Sequence, residues 1–484
     1  MPLSGIKGGQ LRFFTKDQIY SLHLTSLNVL EQIGVMMDHD AALKLMEEAG
    51  AEVDYKDRIV KIPQYLVLEA LRKVPRNITL YGRNSENDVA LTRDMIYNGS
   101  ANNAIAILDF NGTRRPATFK DLEDFTRLQD ALENIHIMST PITAFNDVSP
   151  KGVYKRCYEG VVKNTEKHVI NQADGAKEVR DEARMAAAIM DIELEEVGRR
   201  PIFSVIADLA PPLKFPRTII EVIMECAKYR IPILLESDPY AGGTAPITTA
   251  GIILQQNAEI LAGITLTELA KPNTPIIYTC APMVLDMRLG VASLGAPERG
   301  VYHVATAQLC RYYGVPLCGV AGTTDSKVVD VQAGYEKAIS YLMAALSGVN
   351  IITSHTGTLE SVLTISYEQS VIDNEIYGMV FRILRGGDIS DDSLYEAFKV
   401  IGKVGPLGSH YLSQEHTRKY FPVEEWLPTV SDRNKWDAWV RKGKKTALKM
   451  AREKAKKILK EHRPEPLPRE TLEEIARIAE EPIY

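Results

Sequence analysis

The chain has 484 residues, 45% of them hydrophobic and 25% charged, with a net charge of −6. These proportions are globular. They exclude a disordered, collagen-like or disulfide-scaffold chain, and the acidic balance does not favour nucleic acid as the main partner. The length accommodates about three domains, or one large α/β barrel with additions.

In chain order, residues 15–75 read as helices. Thr15 and Gln18 form a capping-box pattern ahead of IYSLHLTSLNVLEQI, which Gly34 can stop. AALKLMEEA ends at Gly50, and Pro63 opens QYLVLEALRKV at a first-turn position. Residues 1–90 are expected to be an N-terminal helical cap.

From about residue 100, short apolar runs alternate with helical patterns: IHIMST (135–140), HVINQ (168–172), PIFSVIAD (201–208), PILLES (232–237), PIIYTCAP (275–282), PLCGVAG (316–322) and VNIITSHT (349–356). Bounded by Pro, Gly, Asn or Asp, they read as buried parallel strands. Their starts lie 31 to 43 residues apart, enough for a strand, a crossover helix and loops. An eighth strand is expected among MIYNGS and AIAILDF (95–110). Eight βα units predict a TIM (β/α)8 barrel over 91–365, and no G-x-G-x-x-G supports a dinucleotide fold. YEKAISYLMAAL carries apolar residues at 335, 338, 339, 342 and 346 on one 3.6-period face before Gly348, the pattern of a crossover helix returning to the sheet.

Residues 366–484 are expected to be a C-terminal helical extension. Its last long helix holds 11 Lys/Arg between 441 and 463 against two acids. This is read as the solvated face of a surface helix, in preference to a dock for an acidic partner or phosphate. Pro464, Pro466 and Pro468 make a stiff connector.

The cysteines, at 157, 226, 280, 310 and 318, are odd in number with no C-x-x-C, which fits a reducing compartment. The first residues lack the apolar core of a signal peptide. Gln255, Gln256, Asn257 and Glu259 interrupt the best apolar run, so no membrane span is expected. A cytoplasmic location follows as an expectation.

Barrel chemistry sits at the C-terminal ends of strands. The positions to search are therefore Ser139, Thr140, Asn171, Gln172, Asp208, Glu236, Asp238, Cys280, Asp325 and His355. His355, in S-H-T-G, is the first individual candidate, as an acid/base or anion-orienting group. Asp325, in G-T-T-D-S-K, is the second, and its alternative role is a helix cap. Gly322, Thr323 and Thr324 suit an anion-binding turn to which Lys327 adds charge. Phe14, Tyr20, Tyr97, Phe110 and Tyr240 would form an electron-rich box for a quaternary ammonium if they converge over the barrel mouth. No H-x-x-x-H or H-E-x-x-H spacing occurs. No bound metal is expected, and the zinc alternative rests on Cys280 and Cys318 meeting His355.

The stretch GVAGTTDSKVVDVQAGYEKAISYLMAALSGVNIITSHTGTLESVLTISYEQSVIDNEIYGM (319–379) resembles the trimethylamine methyltransferase (MttB) superfamily. So do IYNGSANNAIAILDFNGTRRPATFKDLEDFTRLQDAL (96–132) and ESDPYAGGTAPITTAGIILQQNAEILAGI (236–264). The resemblance implies a TIM barrel that moves a methyl group from an amine to the cobalt of a separate corrinoid protein. The trimethylamine branch of that family carries pyrrolysine. This chain has only the twenty standard residues, which favours the branch using glycine betaine, proline betaine or carnitine, with the replacing residue expected in 318–327. The expected partners are a corrinoid (cobalamin) protein, a small quaternary amine and further copies of the chain. The alternatives are a zinc-dependent corrinoid methyltransferase and a protein that binds a quaternary amine without turnover.

Overall fold

The computed structural model describes residues 5–92, 95–353, 356–408 and 410–483. Eight parallel strands form a closed wall: β1 (Met95–Asn98), β2 (Met138–Ser139), β3 (Val169–Gln172), β4 (Phe203–Leu209), β5 (Ile233–Ser237), β6 (Ile276–Cys280), β7 (Leu317–Val320) and β8 (Ile351–Thr353). β8 pairs with β1, and a parallel bridge from Gly99 to Ile137 joins β1 to β2. This is a TIM barrel, and each strand coincides with a run expected from the sequence, β4 passing the end of its run by one residue, Leu209. The eighth strand comes from MIYN. The AIL of AIAILDF (Ala106–Leu108) instead joins a small sheet with Arg114–Pro116, Thr358–Leu359 and Thr364–Ser366 above the wall.

Alternation along the strands sorts the side chains. Tyr97, Ile137, Ile170, Ile206, Leu234, Ile277, Cys318 and Ile351 fill the bore as one cluster. Their neighbours Val169, Val205, Leu235, Tyr278 and Leu317 face outward into the helix-packed core. A hairpin of Ile78–Leu80 and Val89–Leu91 places its four apolar side chains in the bore cluster. It plugs the N-terminal end of the barrel.

Eight helices ring the wall, from Phe119–Asp130 to Tyr367–Arg385. The last begins beyond the boundary expected at 365 and packs between Val331–Ser347 and Phe119–Asp130, so the ring runs to Arg385. Helix Val331–Ser347 ends at Gly348 (φ 86°), as its sequence implies. Its orientation differs from the expected one. Tyr335 and Ile339 are exposed, whereas Ala333, Lys337, Ser340, Tyr341 and Ala344 are buried. The Lys337–Asp373 ion pair (2.9 Å) and close packing by small residues place the less apolar face inward.

Thr15 caps helix Lys16–Asn28 through the full capping box. The N-terminal segment departs from the expected helical cap by containing a small sheet. Val35–Met37, Glu52–Asp54 and Ile59–Lys61 form a sheet with Lys214–Phe215 from the loop after β4. Strands of three residues carry too little alternation to be read from sequence. Helix Ala447–Glu461 packs through Ala451 and Ala455, and its bases make intrachain contacts, including Arg452 with Glu368 (2.8 Å). No helix among the described residues is long and apolar enough to cross a membrane.

Candidate active site

Above the apolar bore the wall turns polar. Counting two residues on from each bore position gives Gly99, Ser139, Gln172, Asp208, Glu236, Thr279, Val320 and Thr353 as the inward layer nearest the C-terminal mouth. Ser139 Oγ and Thr353 Oγ1 share a hydrogen bond of 3.0 Å. On the other side Asp208 and Glu236 are direct partners in the β4–β5 ladder, and Glu236 is the direct partner of Thr279. Asp238 follows immediately after the end of β5. The charges of both Glu236 and Asp238 act on Asp208.

The three carboxyls are enclosed by protein yet keep partial exposure at the mouth. Burial and the charge of Asp238 push Glu236 up to about 8, against the opposing pull of Arg299. Burial and Glu259 lift Asp238 to about 6, although a backbone hydrogen bond opposes the rise. Asp208 is raised by burial and by the charges of Glu236 and Asp238. Among the described residues Asp208 Oδ1 has no hydrogen-bond partner. A cation set among these groups would neutralise them and draw their acidities back toward normal.

Tyr240, two residues beyond Asp238, lies in the same field. Burial and the charges of Asp238 and Asp208 raise its phenol. An electron-rich ring beside clustered acids suits a quaternary ammonium, which has no N–H to donate. Tyr240→Leu is expected to weaken tetramethylammonium binding about 3- to 30-fold, the worth of one cation–π contact. A calorimetric titration showing unchanged affinity would remove the ring from the site.

Arg299 frames the mouth from beneath. It is fully buried in the first turn of helix Glu298–Tyr313. Nε donates to Pro282 O (3.1 Å), Nη1 to Leu294 O (2.9 Å) and Thr323 Oγ1 (2.7 Å), and Nη2 to Val320 O (2.8 Å). One side chain thus fastens the loops after β6 and β7. In the sequence it is a single Arg after A-P-E, with no periodic signal.

The other candidates fall elsewhere. His355 lies outside the described residues. Asp325 is at the mouth but saturated. It accepts from the hydroxyls of Ser293 and Ser361 and from the amides of Leu294 (2.8 Å) and Gly295 (3.1 Å). Burial raises its carboxyl, and these donors outweigh that and hold it below the ordinary range. It fastens loops, and the helix cap weighed for it is made by Asp330. The anion-binding turn is largely consumed by structure. Gly322 N donates to Ser340 Oγ, Thr323 Oγ1 to Leu294 O and Thr324 Oγ1 to Glu336, while Lys327 Nζ donates to Asp325 O.

The aromatic box does not assemble. Phe14 is tied to Gln308 on the outer side of helix Glu298–Tyr313, and Tyr20 packs against Tyr312 on that helix. Tyr97 sits deep in the bore and donates to Ala90 O of the floor hairpin (3.1 Å). Phe110 stacks on Tyr367 at 4.8 Å, beneath Lys456. Only Tyr240 of the five joins the carboxylates. The zinc alternative loses its thiolate pair. Cys318 faces the bore, whereas Cys280 faces outward and donates to Thr306 Oγ1 (3.3 Å).

Comparison with known proteins decides the family. A family model described as trimethylamine methyltransferase (MTTB) matches residues 5–480. The chain belongs to the trimethylamine methyltransferase family. A glycine betaine methyltransferase from Desulfitobacterium hafniense is 34% identical over 88% of each chain. A trimethylamine methyltransferase MttB from the same species is 32% identical over 98% of this chain and 95% of its own. The MttB of Methanosarcina barkeri is 31% identical over 99% and 96%. A solved structure of MtmB with hydroxylamine matches 92% of this chain and 88% of that one, with a TM-score of 0.53 and 13% identity. That likeness is one of fold.

Proposed function

We propose that this member of the trimethylamine methyltransferase family takes a methyl group from a quaternary amine, glycine betaine in the first place, and delivers it to the cobalt of a corrinoid held by a separate protein. Proline betaine and carnitine are the next donors. The observation that carries this reading is the convergence of Asp208, Glu236 and Asp238 beside Tyr240 at the open end of the barrel.

A corrinoid brought by its carrier supplies the nucleophile that accepts the methyl group. The rim suits a planar apolar visitor. Ile105, Ile247, Met287, Leu289 and Leu363 are exposed on the loops that follow β1, β5, β6 and β8. Ile247 and Met287 both lie against Gly242, 3.5 and 3.3 Å from where a Cβ would stand.

The C–N bond breaks with its electron pair on nitrogen, so the amine leaves neutral and no side chain has to protonate it. The work of this chain is to hold the ammonium with one methyl directed outward. Positive charge on nitrogen fades as the methyl departs, so very strong ground-state attraction would slow the step. Three acids whose ionisation is suppressed by burial and mutual repulsion give a softer grip than three full charges.

The test is a spectroscopic assay with chemically reduced cobalamin and a panel of glycine betaine, proline betaine, carnitine and trimethylamine. Methylation by one or more quaternary amines is expected, with trimethylamine inert. Tight binding without methylation would instead make the protein a quaternary-amine binder. Turnover of trimethylamine alone would overturn the choice of donor.

A further inference from the structure

After β6 the chain forms a hairpin at the rim. Its strands, Met283–Asp286 and Val291–Ser293, pair antiparallel, and the first also pairs with Tyr240–Ala241. Tyr240 therefore lies on the edge strand of a three-stranded sheet whose other two strands are this hairpin. Met283 N donates to Pro239 O (2.9 Å), just ahead of the ring. Leu285 and Met287 cover the turn that follows it, 3.4 and 3.3 Å from where a Cβ would stand on Gly243 and Gly242. The far strand is fastened by Asp325, in the loop after β7. Its carboxylate accepts from Ser293 Oγ and from the amides of Leu294 (2.8 Å) and Gly295 (3.1 Å). Its fourth donor is Ser361 Oγ (2.6 Å). Ser361 belongs to a run of three left-handed residues, Glu360, Ser361 and Val362 (φ 51°, 51° and 67°). None is glycine and the last is β-branched, so the run is strained. Such conformations persist only where the surroundings over-determine them. Here Thr324 O and Ser326 O, on either side of Asp325, accept from the amides of Ser361 (2.9 Å) and Glu360 (2.7 Å). The Asp325 loop thus holds a strained turn on one side and the hairpin on the other.

We infer that Asp325 is a positioning residue, which sets through the hairpin where the Tyr240 ring stands against the ammonium seat. The path is continuous. Asp325 accepts from Ser293, Ser293 is the ladder partner of Val284, and Val284 is the ladder partner of Ala241, next to Tyr240. The carboxylate is occupied by its four donors, so it serves the site through the ring and not by meeting the substrate. The inference rests on the proposed function for its ligand, whereas the link from Asp325 to Tyr240 does not depend on any ligand.

The test is a thermodynamic cycle on the full-length protein, read as tetramethylammonium affinity by calorimetry. Asp325→Ala should weaken binding about 3- to 30-fold, the loss expected when the ring contact goes. Added to Tyr240→Leu it should cost no more than about a further twofold, because the ring it places is already gone. Asp325→Asn keeps Oδ1 for Leu294, Gly295 and Ser361, and its amide can donate to Ser293 Oγ. Its affinity should stay within about twofold of wild type. Amide hydrogen exchange of the free protein is the second readout. In Asp325→Ala, exchange should quicken in 283–295 and in 239–245 together, with the strands of the wall unchanged. Additive losses, an Asn variant as weak as the Ala variant, quickening confined to 283–295, or quickening throughout the wall would each overturn the inference. A wild type that binds no tetramethylammonium would remove the proposed seat, and the exchange pattern would still decide the link to Tyr240.

Discussion

Glu236→Gln is expected to stabilise the protein at pH 8 while weakening its hold on a quaternary ammonium at least tenfold. The sign follows from the acid's position. Its folded acidity stands at about 8 against an ordinary 4.5, because burial and Asp238 oppose its charge. The folded state therefore keeps a proton that the unfolded chain gives up. The resulting cost is absent below pH 4.5, grows as pH rises, and is complete above about pH 8. Replacing the acid with a neutral isostere removes this cost, on the order of 1–3 kcal/mol. It also removes a charge that the cation needs. Chemical denaturation of wild type and variant at intervals from pH 4 to 8.5 checks this. The curves should coincide near pH 4 and diverge progressively between about pH 5 and pH 8. Parallel curves would show that Glu236 carries no such strain.

Arg299→Met is expected to cost about 3–5 kcal/mol of stability, because the buried carbonyls of Pro282 and Val320 lose the donor that the guanidinium supplies, while Leu294 O and the Thr323 hydroxyl keep only their bond to each other. It should also disturb the acids, since Arg299 pulls Glu236 downward. The pH midpoint for cation binding should therefore rise in the variant. Arg299→Lys separates the two roles. A lysine keeps the charge and loses the planar fork, so the pH midpoint should return toward wild type while much of the lost stability does not. A Lys variant as displaced in pH midpoint as the Met variant would argue that Arg299 acts only by fastening loops.

The barrel was legible because its buried strands are continuous apolar runs at regular spacing, and PIFSVIAD and PIIYTCAP correspond to β4 and β6. The floor hairpin was not. Its two strands have three residues each, and their role depends on a bore that exists only after the wall closes. The helix Val331–Ser347 shows a different limit. Periodicity located an apolar face correctly but not its direction, because a buried ion pair and small residues claimed the inside. At the mouth, Asp208, Glu236 and Asp238 were visible as residues ending strands, yet nothing in one sequence distinguishes three loop acids from three converging ones. Convergence comes from ladder register, with Asp208 opposite Glu236. Conversely, Asp325 was attractive as a lone acid in a Gly-Thr-Thr loop, and the structure shows it occupied by four donors.

The most direct test of the carboxylate site is calorimetric titration of the wild-type protein with tetramethylammonium at pH 7, repeated in buffers of different ionisation enthalpy. Binding of a permanent cation among suppressed acids should release protons, so the apparent heat should change with the buffer. Affinity should rise between pH 6 and 8.5, and Asp208→Asn combined with Glu236→Gln should abolish both effects. Binding that releases no proton, holds one affinity across that range and survives the double substitution would contradict a cation seat built from these three carboxyls.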